Sequence, residues 1–233
     1  MQKHTSKAFE ADLANLREKI TRMGALVEDA IGRAMRALVE RNPDLARETI
    51  ERDHLVNRYE VEIDEQCIEL LALRQPAAGD LRLIITGLKI TTDLERIGDL
   101  AVNLCERVLD LLEAPPLKPL IDLPKMADKS RAMLRAALDS YVTRDADQAQ
   151  RVCAMDDEVD RLNDQVFREL LTYMMESPAN ISRALGLIMI SRYLERIADH
   201  ATNLAEMVIY LAKGKDIRHM AWKKDNEAPK AGG

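Results

Sequence analysis

The 233-residue chain contains one segment twice, and this duplication limits its possible folds more than any other feature. Leu94–Val108 reads LERIGDLAVNLCERV and Leu194–Val208 reads LERIADHATNLAEMV; at this offset of 100, ten of fifteen positions are identical. Upstream, Val39–Asp44 (VERNPD) matches Val142–Asp147 (VTRDAD). Asp53, Val56 and Asn57 likewise match Asp156, Val159 and Asp160, all at an offset of 103. The three residues lost between the two offsets fall around Arg74–Asp80, a turn, where a change in length costs least. A repeat of this kind is one supersecondary unit built twice.

The unit is helical. From Leu13 the apolar positions run Leu13, Leu16, Ile20, Met23, Val27, Ala30, Ala34 and Ala37, an alternating spacing of three and four that draws one seam along about nine helical turns. Asn42-Pro43-Asp44 ends this helix and begins the next, since Pro at the first helical position loses no hydrogen bond and Asn caps. The second helix is expected to run to Leu73 and, after the turn, a third to Leu112. Three more are expected at Leu123–Val142, Ala146–Glu176 and Ile181–Ala212. The expected architecture is all-α, two tandem three-helix bundles of six antiparallel helices: residues 1–113, a Pro-rich linker at 114–121, residues 122–213, and a frayed tail at 214–233. Aromatics at 3% and charged residues at 32% agree with long packed helices.

The formal charge of −6, with acids and bases interspersed, lacks the basic face that nucleic acid requires, so no direct nucleic-acid binding is expected. Cys67, Cys105 and Cys153 lie far apart in no metal or redox spacing and read as reduced, packed thiols in the cytosol. The N-terminal MQKHTSKAFEADL has no hydrophobic signal region, and no run nears the roughly 18 apolar residues of a membrane span. A cytoplasmic protein that reaches membranes only through partners is expected. No GxxxxGK, HExxH, GxSxG or CxxC occurs, so nothing positive suggests an enzyme.

On the sixth helix Ile197, Ala201, Leu204, Val208 and Leu211 form the core stripe. Glu195, Asp199, Asn203 and Glu206 gather on nearly the opposite side, and the third helix repeats them as Glu95, Asp99, Asn103 and Glu106. Stacked acids repel by a few tenths of a kcal/mol per pair, and a merely solvated face would interleave lysines. The second and fifth helices carry matching columns beside their apolar seams: Asp53, Asn57, Glu60 and Asp64, then Asp156, Asp160 and Asn163. In an antiparallel hairpin, residues equally far from the turn lie at one level. A centre near residue 78 pairs Glu60 with Glu95, Asn57 with Asp99 and Asp53 with Asn103. A centre near 179 pairs Asn163 with Glu195, Asp160 with Asp199 and Asp156 with Asn203. Both centres fall in expected turns, so the acids of paired helices meet twice. Oxygen clusters without His or Cys suit Mg²⁺, Mn²⁺ or Ca²⁺ and admit iron. The competing readings are a solvated polar face and a carboxylate-bridged metalloenzyme or storage protein, although such enzymes usually add His from the bundle core.

The segment DLERIGD (Asp93–Asp99), its echo LERIAD, the turn RQPAAGDLR (Arg74–Arg82), TYMMES (Thr172–Ser177) and KGKDIRH (Lys213–His219) together closely resemble the PhoU family of bacterial phosphate-uptake and signalling accessory proteins. The resemblance runs from the first helix to His219. It implies two three-helix bundles, each with an E(D)xxxD motif able to bind metal clusters at the surface. The motif acids carried over are Glu95 and Asp99, then Glu195 and Asp199. It also implies negative control of the phosphate regulon, through links between the Pst phosphate transporter, by its ATPase subunit, and a PhoR-type sensor histidine kinase. A homodimer is expected. Ala198 stands where the first copy has Gly98 and the family usually has glycine, and Asn163 replaces the acid found at Glu60, which weakens the second site.

Other features have plainer readings. Arg96 and Arg196 are expected in ion pairs and His200 and His219 on the surface. Trp222 is expected in loose packing, and the eleven Met mostly in the core. Met174 and Met175, near a helix end, are candidates for an adaptable docking patch.

Overall fold

The computed structural model describes residues 7–74 and 76–214; His219, Trp222 and the expected tail from 215 onward lie outside the described residues. Seven α-helices follow in order among them: α1 (Lys7–Glu40), α2 (Pro43–Glu51), α3 (His54–Arg74), α4 (Ala78–Leu112), α5 (Asp122–Thr143), α6 (Ala146–Glu176) and α7 (Ile181–Lys213), with a 3₁₀ turn at Pro178–Asn180 before α7. The first repeat comprises α1 to α4 and the second α5 to α7. No helix among the described residues is long and apolar enough to cross a membrane.

The duplication is visible in the turns. Arg41 (φ 53°) and Arg144 (φ 55°) are left-handed residues at equivalent positions, each ending a helix. The next residue caps the following helix: Asn42 Oδ1 accepts from the N–H of Asp44 and Leu45 at 3.1 Å. Asp145 Oδ1 accepts from Asp147 and Gln148 at 2.9 Å. This is the stop-and-start expected at Asn42-Pro43.

One helix departs from expectation. The second helix of the first repeat breaks at Arg52–Asp53 into α2 and α3, whereas its counterpart α6 is continuous. At the break the Leu55 N–H bonds the Arg52 carbonyl at 3.0 Å. The Glu51 carbonyl, thus released, takes the ring Nδ1 of His54 at 2.6 Å. His54 supplies the substitute partner that a freed carbonyl requires.

The seam predicted on the first helix is buried except at Ala30, which is part-buried: Leu13, Leu16, Ile20, Met23, Val27, Ala34 and Ala37 are at most 1% exposed. The repeats lie side by side, because α4 packs on α7 and α1 on α5, and one continuous apolar core spans both. Leu111 and Gly186, and at the other end Arg82 and Gly214, approach closely enough that a Cβ on either glycine would meet its partner, so α4 and α7 run antiparallel. The linker is held down: Lys118 pairs with Glu169 of α6. Arg41 donates to the carbonyls of Leu112 and Ala114, and Arg183 to that of Pro115. The three thiols are free; burial pushes Cys67 and Cys105 up to about 12 and Cys153 to about 11, so they stay protonated.

Candidate cation sites on two paired hairpins

The α3–α4 and α6–α7 hairpins form because each helix buries one face in the core, and the acids sit at the edge of that face. In α4, Leu94, Ile97, Ala101, Leu104 and Val108 are fully buried. Glu95 and its counterpart Glu195, expected nearly opposite the core, are instead half-buried. The neighbouring helix of the hairpin covers them, which a wheel drawn for one helix cannot show.

In the first hairpin three carboxyls, Asp53, Glu60 and Glu95, are pushed up, each with Asp99 nearby. Burial, then Asp64 and Asp99, pushes Glu60 up. Burial, then Asp99, Glu60 and Asp53, pushes Glu95 up, with Arg96 opposing. Asp53 is raised by burial and by Asp99, against a hydrogen bond that it accepts from Asn57 Nδ2 at 2.9 Å. Asp53 Oδ1 and Val56 Cγ1 fill the space beside Gly98, 3.5 and 3.3 Å from where a Cβ would stand. The glycine of the motif thus admits the α2–α3 break against α4.

The second hairpin repeats the cluster with four carboxylates. Asp156 is pushed up to about 6 by burial, then by Asp160 and Asp199. Asp160 is raised by burial and by Asp157 and Asp164. Burial leads again at Asp199, followed by Asp160, and at Glu195, followed by Asp199. Two oxygens here are buried without a hydrogen bond, Asp156 Oδ1 and Thr202 Oγ1, although the Thr202 hydroxyl is near enough to favour ionised Asp156. An unbonded buried carboxylate oxygen requires an explanation. Thr202 replaces Val102 of the first copy, and a search restricted to acids passes over it.

Not every expected residue joins. Asn163 is buried and bonds Ser191 Oγ at 2.9 Å, away from Glu195. The charge lost there is restored by Asp160, which stands where the first copy has Asn57, so both clusters hold four carboxylates. Among the described residues Asn103 and Asn203 make no hydrogen bond with the acids, and Glu106 and Glu206 bear on Cys105 and Cys153. Among the described residues, Arg96 and Arg196 form no ion pair; only their longer-range charge reaches Glu95, Glu195 and Asp199. His200, expected on the surface, is 14% exposed and its Nδ1 lies 2.7 Å from Oδ1 of buried Asp93. Packing of α7 against α4 turns it inward.

Among the described residues no three His, Cys, Asp or Glu side chains converge as ligands of one metal ion. The donor chemistry nevertheless fits a hard cation: grouped carboxylates raised by burial and one another, with a buried oxygen unsatisfied.

The model of the PhoU domain matches residues 20–108 and 123–208, one match per repeat. A phosphate-specific transport system accessory protein PhoU homolog of Pseudomonas putida is 45% identical over 222 residues, covering 95% of this chain and 87% of that protein. The phosphate-specific transport system accessory protein PhoU of Escherichia coli (strain K12) is 37% identical over 220 residues, 94% of this chain and 91% of the relative. The crystal structure of PhoU from Pseudomonas aeruginosa superposes with a TM-score of 0.85 at 43% identity, over 89% of this chain and all of the other. That of the phosphate transport system regulatory protein PhoU from Streptococcus pneumoniae gives 0.82 at 27% identity, over 89% and 98%.

Proposed function

Since the chain belongs to the PhoU family, we propose that it is an accessory protein of phosphate transport that works as an adaptor, restraining the phosphate regulon when phosphate is plentiful. It does so in the cytoplasm, by docking on the ATPase subunit of a Pst-type transporter and on the cytosolic part of a PhoR-type sensor kinase. The observation that carries this reading is that both repeats match the family and that relatives named for phosphate transport align along nearly the whole chain. Docking biases a kinase only through different affinities for its two states, and helix faces with fixed charges supply such differences. The chain acts by binding and is not an enzyme. In a pull-down against the kinase's cytosolic portion and the ATPase subunit, both are retained; failure to retain either, with and without divalent metal, sinks the adaptor reading.

The two acid clusters are part of this proposal as cation sites. Asp53, Glu60, Glu95 and Asp99 would hold one cation, and Asp156, Asp160, Glu195 and Asp199 the other, with Asn57, Asn103 and Asn203 supplying outer oxygens. The cation, Mg²⁺, Mn²⁺, Ca²⁺ or iron, would neutralise acids that now repel one another. Support comes from the raised carboxyls of both clusters and the unbonded Asp156 Oδ1. Calorimetric titration of Mn²⁺ should give heat with the native protein and a clear loss of it in the first cluster for Glu95→Ala/Asp99→Ala; identical isotherms would remove the cation reading.

A further inference from the structure

Between the acids and the turn, the second hairpin carries apolar side chains that the core does not take up. On α6, Phe167, Leu171 and Met175 are 46, 39 and 86% exposed; on α7, Ile181, Leu185 and Met189 are 42, 49 and 37% exposed. Each set steps by four residues along one helix face. The antiparallel turn places Phe167 level with Met189, Leu171 with Leu185 and Met175 with Ile181. The helices bury other positions for the core, Val166 and Leu170 on α6 and Ala184, Leu187 and Ile190 on α7. The six exposed residues therefore form a two-by-three strip, and apolar patches of this kind mark interaction sites.

The strip runs into charge. Toward the middle of the hairpin the same faces continue as Asp160 on α6 and Glu195 and Asp199 on α7. Glu195 is met by Arg192 at 3.5 Å, while among the described residues Asp160 and Asp199 have no ion-pair partner. The first repeat keeps only half of the strip: Ile68, Leu81 and Ile85 are exposed there, but Phe167, Met175 and Met189 correspond to Asp64, Ala72 and Lys89, so charge interrupts the surface at its inner end.

We propose that the α6–α7 hairpin is a docking groove for an amphipathic helix of a partner protein, whose apolar stripe lies over the six-residue strip and whose basic end meets Asp160 and Asp199. Two parallel rows of side chains one turn apart form the groove that a third helix fills. The unpaired acids at one end set its direction, the basic end of the helix taking the place that a cation would otherwise fill. A second copy laid strip to strip would bring Glu176, beside its own turn, toward those acids, so charge selects a different protein. This inference rests on the adaptor reading, since an adaptor needs such a surface, but it names a groove that the kinase and ATPase pull-downs do not probe.

The test uses the full chain in metal-free buffer and a fluorescent synthetic helix with a leucine stripe and lysines on its last turn. Its control is the same helix with glutamates in place of the lysines. Anisotropy should show the lysine helix binding at least tenfold tighter than the glutamate helix. Phe167→Ser/Leu185→Ser should weaken it at least tenfold, and Asp160→Asn/Asp199→Asn several-fold. Ile68→Ser on the first hairpin should leave it unchanged. All of these side chains are exposed; in addition, amide exchange of the native protein should slow along 167–175 and 181–189 when the helix is added. Equal binding of the two helices, no slowing of exchange, or indifference to Phe167→Ser/Leu185→Ser overturns the proposal. So does a dimer of the native chain that the same double variant dissolves, because the strip would then belong to a second copy.

Discussion

Asp156 shows what grouping acids costs a single residue. Its carboxyl is pushed from the ordinary 3.8 up to about 6, so the native state holds that proton more tightly than the unfolded chain. The group's contribution to stability is therefore greatest below about pH 3.8 and declines as the pH rises to about 6. Asp156→Asn should remove the decline. At about pH 7.5 it should stabilise by on the order of 1–2 kcal/mol, solvent screening included, and at about pH 4.5 by roughly a third of that. Thermal melts at the two pH values check it, and equal gains at both would show that the carboxyl titrates normally. Mn²⁺ should flatten the native protein's own pH slope. Arg144 gives a second measure at this scale. Its φ of 55° suits glycine better than a residue with a Cβ, so Arg144→Gly should raise the melting temperature by the equivalent of roughly 1 kcal/mol.

Among the elements, the caps and hairpins were the legible part. A capping Asn before Pro is a local signal, and two helices joined by a short turn have their levels fixed by counting outward from it. That arithmetic puts Glu60 level with Glu95, and the two bear on each other, but it pairs Asp53 with Asn103, whereas Asp53 is next to Asp99. Asn42→Ala should accordingly cost about 1 kcal/mol, read by chemical denaturation. Features set by how closely the two helices of a hairpin pack were not legible. Asn163 turns to Ser191 because burial demands a partner for its amide, and the half-buried state of Glu95 depends on how far α3 leans over α4. The break at Arg52–Asp53 has a local cause in His54, but nothing in the spacing of apolar residues marks it. Pairing across the two repeats was invisible, since sequence alone left their relative placement open.

The whole molecule is held by contacts between its copies, and two of these can be tested. Gly24 of α1 faces α5 so closely that a Cβ would overlap Leu138 Cδ1. Gly24→Val should cost about 1–3 kcal/mol, with part recovered by Leu138→Ala. Between α4 and α7, Asp93 is 4% exposed and is met by His200. His200→Ala leaves a buried carboxylate without its partner and should cost about 2–4 kcal/mol. Asp93→Leu/His200→Leu should restore most of it, as the repeat-related Tyr193 and Leu100 carry a ring and methyls where this pair carries hydrogen-bonded polar groups. A double-mutant cycle by urea denaturation reads the coupling, which should be well above 0.5 kcal/mol for groups in contact.

The antiparallel packing of α4 and α7 also has a consequence for reach. Because the duplicated helices lie head to tail, the loop joining α3 to α4 and the loop joining α6 to α7 emerge at opposite poles. With 35 residues in α4, those poles stand about 50 Å apart. A visitor at one pole leaves the other free, so a single protomer has room to bridge two bodies that never touch.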